Sequence, residues 1–232
     1  MLKAILALRN KKNWSKPSYA QCGEDLIVKF IFDQLGIYKP SYIDVGAHHP
    51  FFLSNTALFY ALGSKGINIE PDPFFFGQFK KNRQRDINLN LGVGEKGGTA
   101  DFYIISDPKL NTFSKREAEN YNNEGNFKIK DVLKIPVNTL EEIISKYSSS
   151  KFPDFLNVDA EGIDELIIKS IDFEKNAPIV ICIETISFST TGEGIKNQSI
   201  IDFIITKGFF LYADTYINSI FVKSSAWATL KS

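Results

Sequence analysis

From position 41 onward the chain alternates between short β-rich runs and stretches of helical spacing, and this alternation restricts its fold more than any other feature. SYIDVG (41–46), GINIE (66–70), INLNLGV (87–93), DFLNVD (154–159) and PIVICIE (178–184) predict strands. SNTALFYALG predicts a helix capped by Ser54 or Asn55 and closed at Gly63. PFFFGQFKKNR follows Pro71 and Pro73 and turns basic at its end, as the helix dipole favours. GIDELIIKSI sets Ile163, Leu166, Ile167 and Ile171 on one helical face. Such alternation implies a parallel sheet covered by helices on both faces. The last part departs from it: FFLYADTYINSIFVK (209–223) reads as a hairpin, which places an antiparallel strand at the end of the sheet. TADFYII (99–105) predicts an extra strand, and the polar, aperiodic residues 106–135 predict a lid or binding loop. The reading is one domain over 41–232, preceded by an N-terminal helical extension over 1–40.

The bulk numbers suit that reading. The 232 residues are 44% hydrophobic and 23% charged, enough for a sizeable core. Lys plus Arg and Asp plus Glu both number 27, so no global field draws in a polyanion, which argues against nucleic acid as the main partner. The first sixteen residues are a local exception, with Lys3, Arg9, Lys11, Lys12 and Lys16 and no acid. Their apolar run is broken by Arg9 and has no small-residue cleavage site, so it reads as an amphipathic basic helix and not as a signal peptide. No apolar stretch approaches the roughly 20 residues of a membrane span. Cys22 and Cys182 form no metal pattern and read as reduced thiols of a cytoplasmic protein.

The chemistry concentrates at strand ends. Asp44-Val45-Gly46 closes the first strand; Gly46 permits a sharp turn and close approach of a ligand. A dinucleotide fingerprint would carry two further glycines, where this chain has Ala47, His48, His49 and Pro50. That loop is too bulky for a tight pyrophosphate seat. The second strand ends in Glu70-Pro71, and an acid there can accept both hydroxyls of a ribose. Together the two strand ends point to a ligand with adenosine and no pyrophosphate, which is S-adenosylmethionine. Asn55 and Pro71, beside these positions, join the candidate cofactor contacts with Ala47.

Taken in order, SYAQCGEDLIV (18–28), YIDVGAHHP (42–50), GINIEPDP (66–73), DFLNVDAEGIDELIIKSIDF (154–173), PIVICIE (178–184) and GFFL…NSIFV (208–222) resemble the FkbM family of S-adenosylmethionine-dependent methyltransferases. The resemblance implies the class I methyltransferase variant of the Rossmann-like α/β fold: a mostly parallel seven-stranded sheet with a C-terminal antiparallel hairpin strand and helices on both faces. A subset of the family carries Ala-His-His-Pro where other members have a second glycine. By resemblance, Asp44 and Gly46 contact the methionine portion, Glu70 holds the ribose, Gly92 and Val93 or Asp86-Ile87 lie near the adenine, and Gln21, Glu24 and Asp25 fold over the site. It also implies O-methylation of a small-molecule or glycan hydroxyl in surface-polysaccharide or secondary-metabolite synthesis.

Asp159 and Glu161 close the fourth strand of this reading and Glu184 the fifth. Asp159 or Glu161 can serve as general base, Asp159 and Glu184 can hold a hydrated Mg²⁺, or Asp159 and Glu161 can cap the following helix. His48 or His49 is a further candidate base or orienting donor. Phe74-Phe75-Phe76 reads as core packing of the second helix or as an aromatic platform. In the run 111–128, Thr112, Lys115 and Arg116 are placed to cover an acceptor. The rival functions are a nicotinamide-dependent sugar-modifying enzyme, a non-catalytic scaffold of the same fold, and, least, a nucleic-acid methyltransferase, for which the chain lacks an Asn/Asp-Pro-Pro-Tyr tetrapeptide.

Overall fold

A computed structural model describes residues 16–123, 126–186 and 194–231. Of the basic N-terminal residues only Lys16 falls in that range; Lys3, Arg9, Lys11 and Lys12 lie outside the described residues. The described part of the N-terminal extension carries helix α1 (Glu24–Gln34), whose Val28, Ile31 and Phe32 are buried. They pack in the same core as Tyr42, Phe59 and Phe155, so this helix covers the sheet directly.

The seven-stranded sheet contains β1 (Tyr42–Val45), β2 (Gly66–Ile69) and β3 (Ile87–Leu89) on one side, and β7 (Phe155–Val158), β8 (Val180–Glu184), β9 (Phe209–Asp214) and β10 (Asn218–Lys223) on the other. Its order is β3-β2-β1-β7-β8-β10-β9. All neighbours pair in parallel except β10, which runs antiparallel to both β8 and β9. The expected hairpin is thus present, with its second strand slotted in beside the last parallel one. β1, β7 and the first four residues of β8 are buried throughout, as strands covered on both faces must be. One face is covered by α1 and α2 (Ala57–Ala61), the other by α5 (Leu140–Tyr147), α6 (Asp164–Lys169) and α7 (Gln198–Thr206), which insert Ile143, Ile167 and Ile204 among others. Helix α3 (Pro73–Asn82) has the expected Pro73 in its first turn and Lys80 and Lys81 in its last, and the structure adds a cap, Asp72, which accepts from Phe74 N at 2.8 Å.

Three expectations are corrected. The run 87–93 is not one strand. After β3 the Asn90 side chain donates to the carbonyls of Glu70 and Pro71, and the chain leaves the sheet. Gly92–Val93 then forms β4, which belongs to a second sheet of order β4-β6-β5 with β5 (Gly98–Ile105) and β6 (Ile129–Asn138). Residues 106–135 are not an irregular loop. They hold a 3₁₀ turn at Pro108–Leu110, helix α4 (Lys115–Asn123) and most of β6, and Leu110, Ala118 and Tyr121 build a small core of their own with Ile105. Helix α2 is shorter than predicted. Thr56 stands at its N-cap with no side-chain capping bond, because Ser54, Asn55 and Thr56 all turn into a buried polar network.

Among the described residues no helix is long and apolar enough to cross a membrane.

Candidate active site

The ends of β2, β1, β7 and β8 open side by side on the carboxyl edge of the sheet, where open α/β sheets bind their ligands. A cavity of about 520 Å³ lies along that edge. Its floor is the turn after β1. Gly46 adopts φ +75°, and the amides of Gly46 and Ala47 both donate to Ile69 O at 3.1 Å. A Cβ on Gly46 would fall 1.8 Å from the carbonyl oxygen of Asp159, so only glycine fits between β1 and β7. His48 also takes a positive φ, 51°, a region that His enters more readily than most residues. That backbone turn aims its N–H at Glu70 Oε2, 2.6 Å away, while Asp72 N donates to Glu70 Oε1 at 2.7 Å. Burial pushes the Glu70 carboxyl up to about 8, although both amides pull it down. The His48 ring rests on Phe75, centroids 4.3 Å apart, and burial lowers its pKa, so it is neutral at physiological pH.

Behind the floor lies a network that the sequence does not announce. Asp44 accepts from Thr56 Oγ1 at 2.5 Å and from Asn157 Nδ2 at 2.8 Å, and Asn157 Oδ1 in turn accepts from Asn55. Arg83, fully buried, gives its fork to Pro50 O, Ser54 Oγ, Thr56 Oγ1 and Asn68 Oδ1 at 2.8–3.1 Å. The guanidinium lies 5.4–6.0 Å from the rings of Tyr42, Phe51, Tyr60 and Phe79. One side chain therefore ties down the whole loop from Pro50 to Thr56.

At the other end of the cavity Asp159, Glu161 and Glu184 bring carboxylate oxygens within 4.8 Å of one another. Neither Asp159 nor Glu161 caps α6. Ile163 holds the N-cap without a side-chain bond, and Asp164 takes the Ala160 and Gly162 amides instead. Desolvation, then the charges of Asp164, Asp44 and Glu24, push Asp159 up to about 7. Burial and the neighbouring carboxylates hold Glu161 and Glu184 well above the ordinary range. These acids keep protons in the folded state that the unfolded chain releases near 3.8 to 4.5. Stability is therefore expected to fall as pH rises from about 4 through the Asp159 value of about 7. Calorimetric melting across that range should show the decline, and Asp159→Asn should flatten it and raise Tm at pH 8. A Tm at pH 8 below that of the parent protein would contradict this account.

The second sheet forms the roof. Thr112 Oγ1 donates to Glu161 O at 2.6 Å and Asn111 Nδ2 to Asp72 Oδ2 at 2.9 Å, which fastens the insertion to both ends of the cavity. Gly92 passes beneath the Phe113 ring, where a Cβ would come within 2.4 Å of Cζ.

The cavity wall contains Gln21, Asp44, Gly46, Ala47, His48 and Asn55 of the predicted residues. It also contains Glu70, Pro71, Gly92, Val93, Asp159, Glu161 and Glu184. His49, Asp25, Glu24 and Asp86 are not on it. His49 Nδ1 accepts from the Phe51 and Phe52 amides and shapes the turn. Asp25 is occupied by Ser18 Oγ and the Tyr19 and Leu26 amides. Glu24 braces Thr215 and Asn218, and Asp86 accepts from the Tyr42 hydroxyl. Of the phenylalanine triplet Phe75 alone lines the cavity, while Phe74 is exposed. Thr112 lines it too, but Lys115 and Arg116 extend into solvent beside Glu119 and Glu117. The sequence reading missed Arg83, Asn157, Phe113 and Tyr216.

A search of curated proteins returns no match. The solved structures similar to this chain include two of low identity. A Pyrococcus horikoshii protein provisionally described as an RNA methyltransferase has 14% identity and a TM-score of 0.41, with 96% of this chain and 98% of that one covered. The precorrin-6y C5,15-methyltransferase of Geobacter metallireducens GS-15 has 12% identity and a TM-score of 0.41, with coverages of 89% and 90%. The family model "Methyltransferase FkbM domain" matches residues 44–211, from the Asp44 that begins the cavity floor to β9 at the edge of the sheet, and the chain belongs to this methyltransferase family.

Proposed function

We propose that this chain is an S-adenosylmethionine-dependent O-methyltransferase whose acceptor is a sugar hydroxyl in surface-polysaccharide or secondary-metabolite synthesis. The observation that carries the reading is the sign of the cavity. Asp44, Glu70, Asp159, Glu161 and Glu184 line it, and the one Lys or Arg among its described lining residues is Lys109, 3.5 Å from Asp107. A ligand with a sulfonium and an ammonium would favour the ionised form of these acids, whereas the pyrophosphate of a nicotinamide cofactor would face carboxyl groups and almost no cation.

Glu70 would hold the ribose. With its carboxyl at about 8, Glu70 has a proton to donate as well as lone pairs to spare beyond the two amides it accepts from. Gly46 would admit the methionine portion against bare backbone, and the amide-rich floor keeps that backbone in place. S-adenosylmethionine, when bound, supplies a methyl group on a positively charged sulfur. The acid cluster supplies the base: Asp159, at about 7, is poised near working pH to take the acceptor's hydroxyl proton, with Glu161 and Glu184 sharing it. A hydrated Mg²⁺ is a second reading of the same cluster, favoured by the convergence of three carboxylates; Asp159 and Glu184 would hold it with Glu161, and it would acidify the acceptor hydroxyl.

Isothermal calorimetry with S-adenosylhomocysteine, with and without Mg²⁺ and against NAD, tests the reading. Micromolar binding of the homocysteine compound alone is the expected result; binding of NAD in its place would return the chain to the nicotinamide class. Glu70→Ala should weaken that binding about 10- to 100-fold, the worth of two ordinary hydrogen bonds at about 1 kcal/mol each. An unchanged affinity would take Glu70 out of the ribose role. Homocysteine-compound binding with no turnover on any acceptor would mark the scaffold alternative.

A further inference from the structure

The cavity runs past the acid cluster to a part of the edge that the cofactor reading leaves unassigned. From β2 to β10 there are four strand spacings, about 19 Å at about 4.8 Å each. Glu70 marks the β2 end and Gly46 the β1 end, Asp159 and Glu161 follow β7, and Glu184 ends β8. One strand further, the turn before β10 brings Tyr216 and Ile217 to the wall. The turn abuts the acid cluster: Asn218 lies opposite Glu184, and Thr185 N donates to Ile217 O at 3.0 Å.

Tyr216 is an unusual residue to find there. Its φ is +75°, a region costly for a bulky side chain, yet the turn holds it firmly. Asp214 Oδ1 accepts its amide at 2.7 Å, Lys196 Nζ donates to its carbonyl at 2.9 Å, and Lys196 also pairs with Asp214. Thr215 Oγ1 anchors the same turn to Glu24. The side chain so placed is 56% exposed while lining the cavity mouth. A glycine or asparagine would meet the backbone requirement at no such cost. What neither would offer is a flat aromatic face with a hydroxyl at its tip.

Resting on the reading of this cavity as a sugar O-methyltransferase site, we propose that Tyr216 is the acceptor platform: the apolar C–H face of a pyranose ring lies on it, which presents one ring hydroxyl to Asp159, Glu161 and Glu184. The acceptor's class is then a cyclic sugar and not an open-chain polyol. The binding energy of the unreactive ring face serves to orient the reactive hydroxyl.

The test uses full-length protein saturated with S-adenosylhomocysteine. Saturation-transfer NMR is run with the methyl pyranosides of glucose, galactose, mannose and rhamnose, and with sorbitol as the ring-less control. Transfer to ring C–H protons of at least one pyranoside, and none to sorbitol, is expected. Tyr216→Phe should keep that affinity, and Tyr216→Gly should lower it at least about tenfold. Tyr216→Gly should leave S-adenosylhomocysteine binding unchanged and Tm no lower, since glycine relieves the backbone; a merely structural tyrosine would lower Tm. Pyranoside binding that survives Tyr216→Gly would overturn the platform and leave the sugar reading intact. A parent protein that binds S-adenosylhomocysteine but no pyranoside would overturn both.

Discussion

Gly46→Ala is expected to abolish cofactor binding and to lower stability by about 2 to 5 kcal/mol, the sum of an overpacked contact and a left-handed residue with a Cβ. The clash is with backbone: the new methyl would sit 1.8 Å from Asp159 O and 2.8 Å from Asp159 C. No rotamer change relieves it. The β1 and β7 ends would have to part, which strains the bond from Asp159 N to Val45 O and moves the first acid of the cluster. For a chain of this size the loss corresponds to a fall in Tm on the order of 10 °C. Calorimetry and thermal melting check both halves. Gly77→Ala is the control: it lies inside α3, where an added methyl would meet nothing within 4 Å, so it should be neutral or mildly stabilising. A Gly46→Ala protein that melts and binds like its parent would remove the basis for the tight floor.

Arg83→Met is expected to cost about 3 to 5 kcal/mol, the usual penalty for removing one partner of a buried charged network. Methionine fills much of the volume but leaves the Pro50 carbonyl and the acceptors on Ser54, Thr56 and Asn68 without their donor. Asp86, 3.8 Å from the guanidinium and also buried, loses its nearest cation. Arg83→Lys should recover only part of the loss, because a point ammonium cannot reproduce a planar fork among four acceptors. Urea unfolding gives the stability. Affinity for S-adenosylhomocysteine should fall as well, since Thr56 passes the constraint on to Asp44. A Met variant within about 1 kcal/mol of the parent would show that ring packing alone holds the loop.

What could be read from sequence follows from how local each signal is. Asp44, Gly46 and Glu70 stand at strand ends, where period and punctuation coincide, and they do line one cavity. Helix α3 announces itself through Pro73 and its two terminal lysines. Helix α4 does not, because only Ala118 and Tyr121 of its nine residues are buried and its core is supplied by β5 and the 3₁₀ turn. Arg83 reads in sequence as one more cation at a basic helix end; its burial depends on Tyr42, Phe51, Tyr60 and Phe79, which approach from separate elements. The paired histidines divide for a similar reason. His48 spends its amide on Glu70, 22 residues away, whereas His49 folds onto its own turn.

The burial of the acids also changes what the chain presents to its surroundings. Among the described residues seven carboxyl groups (Glu24, Asp25, Asp44, Glu70, Asp72, Asp86 and Asp164) are buried, against one guanidinium, Arg83. Three further acids, Asp159, Glu161 and Glu184, face the cavity, and they hold protons well above the pH at which free carboxylates release them. Formal neutrality therefore belongs to the unfolded chain. Among the described residues folding carries acids inward, and the protons that Asp159, Glu161 and Glu184 keep are expected to move the isoelectric point above the 6.7 of the sequence. A cation that enters the cavity meets acids that can ionise to receive it, so its binding is expected to release protons.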